Sequence, residues 1–494
     1  MIDHTKISNM HQLLLALEEQ SGDRVLMKYM VEKQVFEVDA PTFFRDVRKC
    51  AAMLYRRDLS GKHIGIMGPN TVDWMVHLCA IFETGGVAVL MAPDLNGQDI
   101  ADRARQTDLE AILHAPSLTD TITQASLHEN VTTISMDDFR TEPDGIPLPC
   151  PDNQPDDLSC ILFTSGTTSR CKAVMLSHKA MIAGICHNVI RFPFEAQLAI
   201  LPLHHIAGFA SVLNTWYLNR VICLGDDFKN LYRYLEHMKP DYTLTVPSLL
   251  QVILRKLKKG GPHGHLLGWN LHLIGCGGAQ FQPDVIQALN DQGIRVLQSY
   301  GATEAGGLGF DWEMTPECRD TIGKPCPEIK TKIVDGELFL RSDSLMSGYY
   351  KDPEATAEVL IDGWYATGDL CRMDADGYLR LVGRKKNLII LSNGENVSPE
   401  EIEAKLSAIE TIREVMIGVE KDRIIASIHP NMAENCPEEE FLSLQNKIQD
   451  AVELYNRTVP TYKQVHRIQY YRDPFAKTAV GKMIRSTVTG VNHS

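Results

Sequence analysis

The chain has 494 residues, 44% hydrophobic and 23% charged, so it is long enough for roughly three domain-sized units with a large core. Its 63 acidic residues outnumber its 49 basic ones, and the formal charge of -14 argues against nucleic acid as a partner. Twelve scattered cysteines form no CxxC pair, and no apolar run has the length of a membrane span. We therefore expect a soluble, cytoplasmic protein with no export signal and no transmembrane segment.

The pattern of elements changes along the chain. Residues 141–157 are rich in proline and aspartate, which predicts a surface connector. After it, short β-rich runs such as 221–224 and 242–246 alternate with helix-like stretches such as 248–258, which favours parallel α/β layers. From about residue 329 to 382, strands punctuated by turns indicate a small β-subdomain.

The last 110 or so residues are expected to form their own compact α/β unit. Ser398 followed by Pro399 and Glu401 predicts a helix start with a capping box. A second helix is indicated after Pro437, with apolar residues recurring at steps of three and four from Phe441 to Tyr455. The sequence contains no internal repeat.

The segment most informative about chemistry is ILFTSGTTSRCKAVMLSH, residues 161–178. Its hydroxyl groups offer anion ligands, its glycine allows close approach of the backbone to oxyanions, and its lysine adds a positive charge. This pattern predicts a triphosphate-binding loop formed by Thr164, Ser165, Gly166, Thr167, Thr168 and Lys172. It is not the GxxxxGK[ST] nucleotide loop, since Ala173 follows the lysine, and an ordinary Ser/Thr-rich turn is the alternative.

Six further motifs follow in order: LPLHHIAG at 201–208, GGA at 277–279, YGATE at 300–304, YATGD at 365–369, GRKKN at 383–387 and KTAVGK at 477–482. With the loop, they resemble the adenylate-forming superfamily of acyl-CoA synthetases, peptide-synthetase adenylation domains and luciferases. The resemblance covers at least residues 61–485. It implies that ATP and a carboxylic acid form an acyl adenylate with release of pyrophosphate, and that the acyl group then passes to a thiol.

The resemblance also implies the domain organisation and a hinge. We expect an α/β fold with a large N-terminal domain of several subdomains, residues 1–385, whose β-rich part spans about 315–385. A small mobile α/β C-terminal domain follows at 386–494, with Lys386 as the hinge on which it rotates between the two half-reactions.

Roles in nucleotide binding follow residue by residue from the same motifs. Glu304 is expected to hold Mg²⁺, and Thr303 to contact the α-phosphate. Tyr300 would enclose adenine against the glycine turn, and Asp369 would accept the ribose hydroxyls beside Arg384. The expected nucleotide set beyond the loop is Gly277, Gly278, Ala279, Tyr300, Gly301, Asp369 and Arg384. The alternatives are a buried tyrosine, an ordinary glycine turn and a solvated carboxylate.

Other residues are implied in acid and thiol binding. Lys482 would reach the carboxylate and the α-phosphate during adenylate formation, although such a lysine is otherwise a surface charge. Gly394 would leave room for pantetheine. His205 would orient the carboxylate or gate the acyl tunnel, with a structural histidine as the alternative. Gly208, Gly306 and Gly307 are expected to border that tunnel.

Three positions depart from the family's phosphate loop, namely Ser169, Cys171 and Ala173, and they put the mobility of the loop in question. The reading that the motifs favour is an ATP-dependent acid–thiol ligase that uses Mg²⁺ and CoA and acts on a fatty or aryl acid. One alternative is a free-standing adenylation enzyme that loads the phosphopantetheine of an acyl or peptidyl carrier protein. Another is a degenerate, non-catalytic protein that binds a nucleotide or an acyl group.

Overall fold

The structure is a computed structural model that describes residues 2, 6–164, 171–187, 193–259, 270–278, 283–307, 310–311, 321–392, 395–433, 435–477 and 483–485. The α-helices of these residues are α1 (Met10–Ser21), α2 (Ala40–Arg56), α3 (Val72–Glu83), α4 (Gly97–Gln106), α5 (Thr119–Gln124), α6 (His178–His187), α7 (Ile206–Tyr217), α8 (Leu231–His237), α9 (Pro247–Lys259), α10 (Pro283–Asn290), α11 (Pro353–Val359), α12 (Pro399–Ser407) and α13 (Glu438–Asn456).

The strands are β1 (Val25–Val31), β2 (Gln34–Asp39), β3 (His63–Met67), β4 (Val87–Met91), β5 (Ala111–His114), β6 (Thr132–Ser135), β7 (Leu158–Thr164), β8 (Lys172–Ser177), β9 (Ala196–Ala199), β10 (Val221–Leu224), β11 (Tyr242–Thr245), β12 (Leu273–Gly277), β13 (Arg295–Ser299), β14 (Phe310–Asp311), β15 (Lys324–Pro325), β16 (Lys330–Val334), β17 (Glu337–Arg341), β18 (Gly348–Tyr349), β19 (Leu360–Ile361), β20 (Trp364–Met373), β21 (Leu379–Arg384), β22 (Ile389–Ile390), β23 (Asn396–Val397), β24 (Ile412–Glu420), β25 (Arg423–Pro430) and β26 (Arg467–Tyr470).

Two seven-stranded sheets form the body of the N-terminal part. The first has the strand order β13-β12-β11-β9-β10-β1-β2 and the second β18-β8-β7-β4-β3-β5-β6. Their central strands are parallel, as the alternation of β-runs and helices predicted. Strand β4 is buried along its whole length, as expected for a strand of a parallel sheet that is covered on both faces.

One hydrophobic core joins helices of both sheets. Large side chains from α2, α3 and α7, among them Phe43, Trp74, Phe82 and Trp216, pack in this core and are at most 3% exposed. The rings of Phe43 and Trp216 meet edge to face at 5.1 Å between centroids. The two sheets therefore share a helical layer, and their relative position is set by close packing.

The predicted β-subdomain forms, with one exception. Strands β16, β17, β20, β21 and β19 make a five-stranded sheet in the region where strands and turns were expected. Strand β18 lies in the same stretch of sequence but leaves that sheet and pairs antiparallel with β8 of the second large sheet. The pairing of β18 with β8 therefore connects the segment that contains the small sheet to the strand at the base of the predicted phosphate loop.

The C-terminal unit contains the three-stranded sheet β24-β25-β26 with α12 and α13 packed in its core. Helix α12 begins after Ser398, as predicted, but the predicted capping box is wrong. The Ser398 hydroxyl donates to the Val382 carbonyl at 2.6 Å and to Glu400 Oε2 at 3.0 Å instead of capping the helix. The carboxylate of Glu401 pairs with Lys463 at 2.7 Å.

The connector predicted at residues 141–157 has no α-helix or strand, although Thr141 is the last residue of a 3₁₀-helix, Asp138–Thr141, and hydrogen bonds hold the connector to the body. Asn9 of the α1 N-cap donates to the Asn153 carbonyl at 2.9 Å, and Asn153 donates to the Gly85 carbonyl at 3.2 Å. In the part of the chain that the structure describes, no helix has the length and apolar character needed to cross a bilayer.

Asn70 links the two large sheets through its side-chain amide. It follows β3 of the second sheet, and its Nδ2 donates to the carbonyls of Leu201 at 2.9 Å and Gly225 at 3.1 Å, which follow strands of the first sheet. Its Oδ1 accepts from the Leu203 N–H at 3.0 Å. Asn70 is therefore the hydrogen-bonding anchor of the loop that carries His204 and His205.

We predict that Asn70→Leu lowers the free energy of unfolding by about 2 to 4 kcal/mol, because buried backbone groups of that loop lose their partner. The matched control is Asn130→Leu, since Asn130 is exposed. Urea unfolding followed by circular dichroism measures both variants. Equal stability of the two variants would contradict the anchoring role of Asn70.

Candidate active site

The carboxyl ends of β12 and β13 form the floor of the candidate nucleotide site. The two strands are parallel, with Gly277 opposite Ser299, so Gly278 and Tyr300 leave the same edge of the first sheet. A Cβ atom on Gly277 would lie 2.6 Å from the Ser299 carbonyl oxygen, which explains why the strand ends in glycine. Gly278 has a φ of +79° and faces open space. Ligands of open α/β sheets bind at this edge, so the turn suits a flat base.

A buried carboxylate lies beside this edge. Asp369 is 5% exposed, accepts a hydrogen bond from the Tyr300 hydroxyl at 2.6 Å and pairs with Arg384 Nε at 2.5 Å. Arg384 is directly opposite Asp369 in the antiparallel pair β20–β21. The sequence motifs placed these three residues in one nucleotide site, and the structure brings them together.

The protonation states of the groups in this cluster are coupled. Burial and the Asp369 carboxylate raise the pKa of Tyr300, so its hydroxyl stays protonated and donates. Burial is the largest single effect on Arg384 and lowers its pKa, but Asp369 together with Tyr300, Tyr365 and Glu304 outweighs burial, so the pKa of the guanidinium is raised. Burial and then Glu304 raise the pKa of Tyr365, and Asp369 adds a smaller effect in the same direction.

Glu304 is held by a residue that the sequence motifs did not single out. The Tyr349 hydroxyl donates to Glu304 Oε1 at 2.9 Å, and Lys172 Nζ lies 4.5 Å from the centre of the Tyr349 ring. Tyr349 reaches both groups because β18 pairs with β8, in which Lys172 is the first residue. The signal in the sequence is GYYKDPEAT, where an aromatic pair precedes a helix start with Asp352 as its N-cap.

The base of the predicted phosphate loop is a strand pair. Thr164 ends β7 and lies opposite Lys172 at the start of β8. The Cys171 carbonyl accepts from Gln106 Nε2 at 3.0 Å, and Cys171 Sγ lies 3.5 Å from Arg103 Nη2. The next residue, Ala173, is buried within β8, so a methyl group in place of the family's glycine fits an ordinary strand position.

Three buried nitrogen atoms close to this loop have no hydrogen-bond partner among the described residues: Arg103 Nε, His204 Nε2 and His205 Nε2. The two imidazoles lie 4.3 Å apart between ring centroids, at the entry to α7. Burial lowers the pKa of His204 to about 3, with smaller effects of His205 and Arg103, and it also lowers the pKa of His205 against the influence of Asp94. Buried polar atoms in proteins almost always have a hydrogen-bond partner, so we expect a ligand or a water molecule to bind at these nitrogen atoms. Arg103 was missed because a lone arginine in a helix carries no motif.

The glycines expected to border an acyl tunnel are packed against backbone. A Cβ on Gly208 would clash with the carbonyl of Pro202, and one on Gly306 would clash with the carbonyl of Ser344. At these two positions the missing side chain makes room for neighbouring backbone, and the role of both glycines at an acyl tunnel stays a prediction. Gly307 has a φ of +77°, a conformation that favours glycine.

The predicted hinge lies in a short turn, Lys385–Asn387, which connects β21 to the C-terminal unit and in which Lys386 is exposed. On one side Lys385 pairs with Glu337 at 2.8 Å, and Glu337 accepts from the Gly368 N–H at 2.9 Å. On the other side Asn387 donates to Glu400 Oε1 at 2.5 Å. Polar contacts of this kind can exchange with water when a domain moves.

Several predicted site residues lie outside the described residues, and their roles stay predictions. They are Ser165, Gly166, Thr167, Thr168, Ala279, Gly394 and Lys482, together with Ser169 of the loop departures. Thr303, Glu304 and Gly301 are described, and Thr303 opens a single turn of 3₁₀-helix, Thr303–Ala305, just after Tyr300.

The residues present fit a magnesium ion that arrives with its nucleotide. No group of three or more His, Cys, Asp or Glu side chains within the described ranges could hold a metal ion by itself. Mg²⁺ is usually bound by one or two carboxylates together with substrate phosphates and water. Glu304, oriented by Tyr349, offers such a carboxylate.

Comparison with known proteins agrees with this geometry. The family profile described as "AMP-binding enzyme" matches residues 20–350, and that described as "AMP-binding enzyme C-terminal domain" matches residues 386–491. The chain is 28% identical over 458 residues to 2-succinylbenzoate–CoA ligase of Enterococcus faecalis, covering 86% of this chain and 87% of the relative. It is 26% identical over 503 residues to 4-coumarate–CoA ligase-like 2 of Arabidopsis thaliana, covering 92% and 86%.

Solved structures share the fold. The anthranilate CoA ligase AuaEII in complex with anthranoyl-AMP superposes with a TM-score of 0.84 at 18% identity, over 98% of this chain and 97% of that chain. O-succinylbenzoate Coenzyme A synthetase of Bacillus subtilis in complex with AMP gives a TM-score of 0.80 at 20% identity, over 96% and 97%. The predicted α/β fold with a large N-terminal and a small C-terminal domain is confirmed, and the chain belongs to the family of AMP-binding enzymes.

Proposed function

We propose that this protein is an AMP-forming ligase that converts an aryl or fatty carboxylic acid, ATP and CoA into an acyl-CoA by way of an acyl adenylate. The observation that carries the proposal is the buried Asp369, which Tyr300 and Arg384 hold beside the open turn at Gly278. The relatives named above are CoA ligases, and two of them are named for aryl acids. Their names support CoA as the acceptor and an aryl acid as the first class to test.

The nucleotide would lie across the carboxyl edge of the first sheet. Adenine would stack on the Gly277–Gly278 turn beside Tyr300, and the ribose hydroxyls would donate to Asp369. The phosphates would extend toward Lys172 and Glu304, which the ring and hydroxyl of Tyr349 bring together. Mg²⁺ held by Glu304 would neutralise phosphate charge, and Thr303 would donate to the α-phosphate.

The acid would bind near the paired imidazoles. Since burial keeps His204 and His205 neutral, each can donate one hydrogen bond to a carboxylate without adding a charge. Arg103 supplies the positive charge on the same side. The carboxylate oxygen would then attack the α-phosphorus, and pyrophosphate would leave.

The second half-reaction would follow a rotation of the C-terminal unit at Lys386. Lys482 would stabilise the charge of the first transition state and leave the site in the second, in which the thiol of CoA attacks the acyl carbon of the adenylate. Gly394 would leave room for the pantetheine arm. A carrier-protein phosphopantetheine is the alternative acceptor, and a non-catalytic protein is the alternative from another class.

An acid panel tests the proposal directly. The protein is incubated with ATP, Mg²⁺ and each acid, with and without CoA, and AMP, pyrophosphate and acyl-CoA are quantified. We expect AMP and acyl-CoA in equal amounts for at least one aryl or fatty acid. Adenylate without acyl-CoA would favour the carrier-protein acceptor, and no acid-dependent AMP with any member of the panel would overturn the proposal.

Tyr349→Phe removes the hydroxyl that orients Glu304. A hydrogen bond to a charged group contributes about 1.5 to 3 kcal/mol, so we expect adenylation to slow by about 10- to 100-fold, with a raised Mg²⁺ requirement. Tyr350→Phe is the matched control, because its hydroxyl donates to the exposed Asp108 at 2.8 Å. Pyrophosphate release at several Mg²⁺ concentrations measures the effect. Equal rates in both variants would remove Tyr349 from the site.

Lys482→Ala separates the half-reactions. We expect adenylate formation to be crippled, because the ammonium acts where negative charge builds, while thioester formation from supplied acyl-AMP stays close to the wild-type rate. Lys447→Ala, at an exposed position of α13, is the control. Equal losses in both half-reactions would show that Lys482 has a structural role or that the C-terminal unit does not alternate.

A further inference from the structure

A cysteine, a histidine and a glutamate meet outside the candidate active site. Cys150 of the connector has its Sγ 3.6 Å from His11 Nε2, and His11 Nδ1 lies 2.9 Å from Glu83 Oε2. The second contact has the length of an ion pair, although the ring N–H is not aligned for a straight hydrogen bond. His11 belongs to α1 and Glu83 is the last residue of α3. Three separate segments thus bring a nucleophile, a base and a carboxylate into contact.

The burial of the three groups suits a reactive thiol. His11 is only 8% exposed, and helix packing fixes its ring, whereas Cys150 is exposed to solvent. The other described cysteines are buried or half-buried: Cys50, Cys79, Cys160, Cys171, Cys186, Cys223, Cys276, Cys326, Cys371 and Cys436. Burial raises the pKa of the Cys186, Cys223 and Cys371 thiols to about 12, which keeps them protonated and unreactive.

A cavity of about 390 Å³ opens beside Cys150. Leu148, Pro149 and Tyr55 supply apolar wall, and Glu83 lines the cavity next to the thiol. Ser60 also lines it, and the buried Ser60 Oγ has no hydrogen-bond partner within the described part of the chain. A cavity of this size holds a small organic molecule, and an unpartnered buried hydroxyl favours a ligand with a polar atom.

We propose that Cys150 is a nucleophilic modification site that undergoes thiol–disulfide exchange with a small neutral or cationic disulfide bound in this cavity. With the proton on Nδ1 stabilised by the nearby charge of Glu83, His11 Nε2 takes the thiol proton, and the thiolate attacks one sulfur of the disulfide. The Cys150 sulfur forms the new S–S bond, the old S–S bond breaks, and the departing thiolate takes up the proton. The exchange is balanced and needs no further oxidant.

The charge of the cavity sets the class of disulfide. Glu83 and Asp152 both line it, and its described lining contains no lysine or arginine. Carboxylates that line the cavity repel an anion and attract a cation, so a dianionic disulfide is expected to react with Cys150 more slowly than its intrinsic reactivity predicts. The site shares no residue with the nucleotide site, so the proposal does not depend on the proposed function.

The test measures the rates at which neutral 2,2′-dithiodipyridine and anionic 5,5′-dithiobis(2-nitrobenzoate) modify the protein at neutral pH. Each rate is divided by the rate at which the same disulfide reacts with 2-mercaptoethanol, which corrects for intrinsic reactivity. Mass spectrometry of the peptides assigns the modified cysteine. We expect Cys150 to be the first cysteine modified and, after this correction, to react faster with the neutral probe than with the anionic one. The fast kinetic phase should be absent in Cys150→Ser, whose fold should be unchanged.

Variants of the two supporting groups complete the test. With the neutral probe, we expect His11→Gln to slow the modification of Cys150 by about tenfold and Glu83→Gln by a smaller factor. Asp144→Asn is the matched control, because this carboxylate lies on the same connector and pairs with Lys49 at 3.3 Å. If Cys150 reacts no faster than Cys171 and Cys326, or if Glu83→Gln and His11→Gln both keep the wild-type rate, the proposal is wrong. If His11→Gln does not fold, Glu83→Gln decides.

Discussion

The buried carboxylate of Asp369 is the constraint on which the candidate active site depends. A charge that is 5% exposed needs hydrogen bonds and a counter-charge, and Tyr300 and Arg384 supply them. Tyr300 directly follows β13, at the carboxyl edge of the first large sheet, whereas Asp369 and Arg384 belong to the small sheet. The hydrogen bond from Tyr300 to Asp369 therefore joins the two sheets. Arg384 is also the last residue of β21, immediately before the hinge turn. The proposed ribose contact and the proposed hinge are therefore adjacent at one charge pair.

The second large sheet contributes the residues that are proposed to bind the phosphates, and a short strand brings them together. Strand β18 lies in sequence among the strands of the small sheet, but its two residues pair with β8 of the second large sheet. This pairing brings Tyr349 into contact with Lys172 and Glu304. A short strand is sufficient because the rest of β8 is fixed by pairing with β7. The site is thus assembled from both large sheets and the small one, and it requires their relative positions to be held by the shared helical core and by Asn70.

Motifs predicted those parts of the site in which the residue type itself carries the chemistry. Asp369, Arg384 and Glu304 could be named because a carboxylate or guanidinium in a familiar run of residues has few roles. Sequence could not predict Tyr349 as the partner of Glu304, because that contact depends on a strand crossing between sheets. It also could not predict that the missing side chains of Gly208 and Gly306 make room for neighbouring backbone. Long periodic helices such as α13 were found, whereas the hydroxyl of Ser398 took a tertiary partner in place of its predicted cap.

We propose that Asp369 accepts the ribose hydroxyls of ATP, and a comparison of ATP with its 2′-deoxy and 3′-deoxy analogues, in the wild type and in Asp369→Asn, tests this role. Isothermal titration calorimetry gives the affinity of each nucleotide, and circular dichroism checks that the variant is folded. We expect the wild type to bind the deoxy analogues about tenfold or more weakly than ATP and Asp369→Asn to lose most of this difference, since a hydrogen bond to a charged group is lost in both cases. If the folded variant discriminates against the deoxy analogues as strongly as the wild type, Asp369 does not bind the ribose and the site has been placed wrongly.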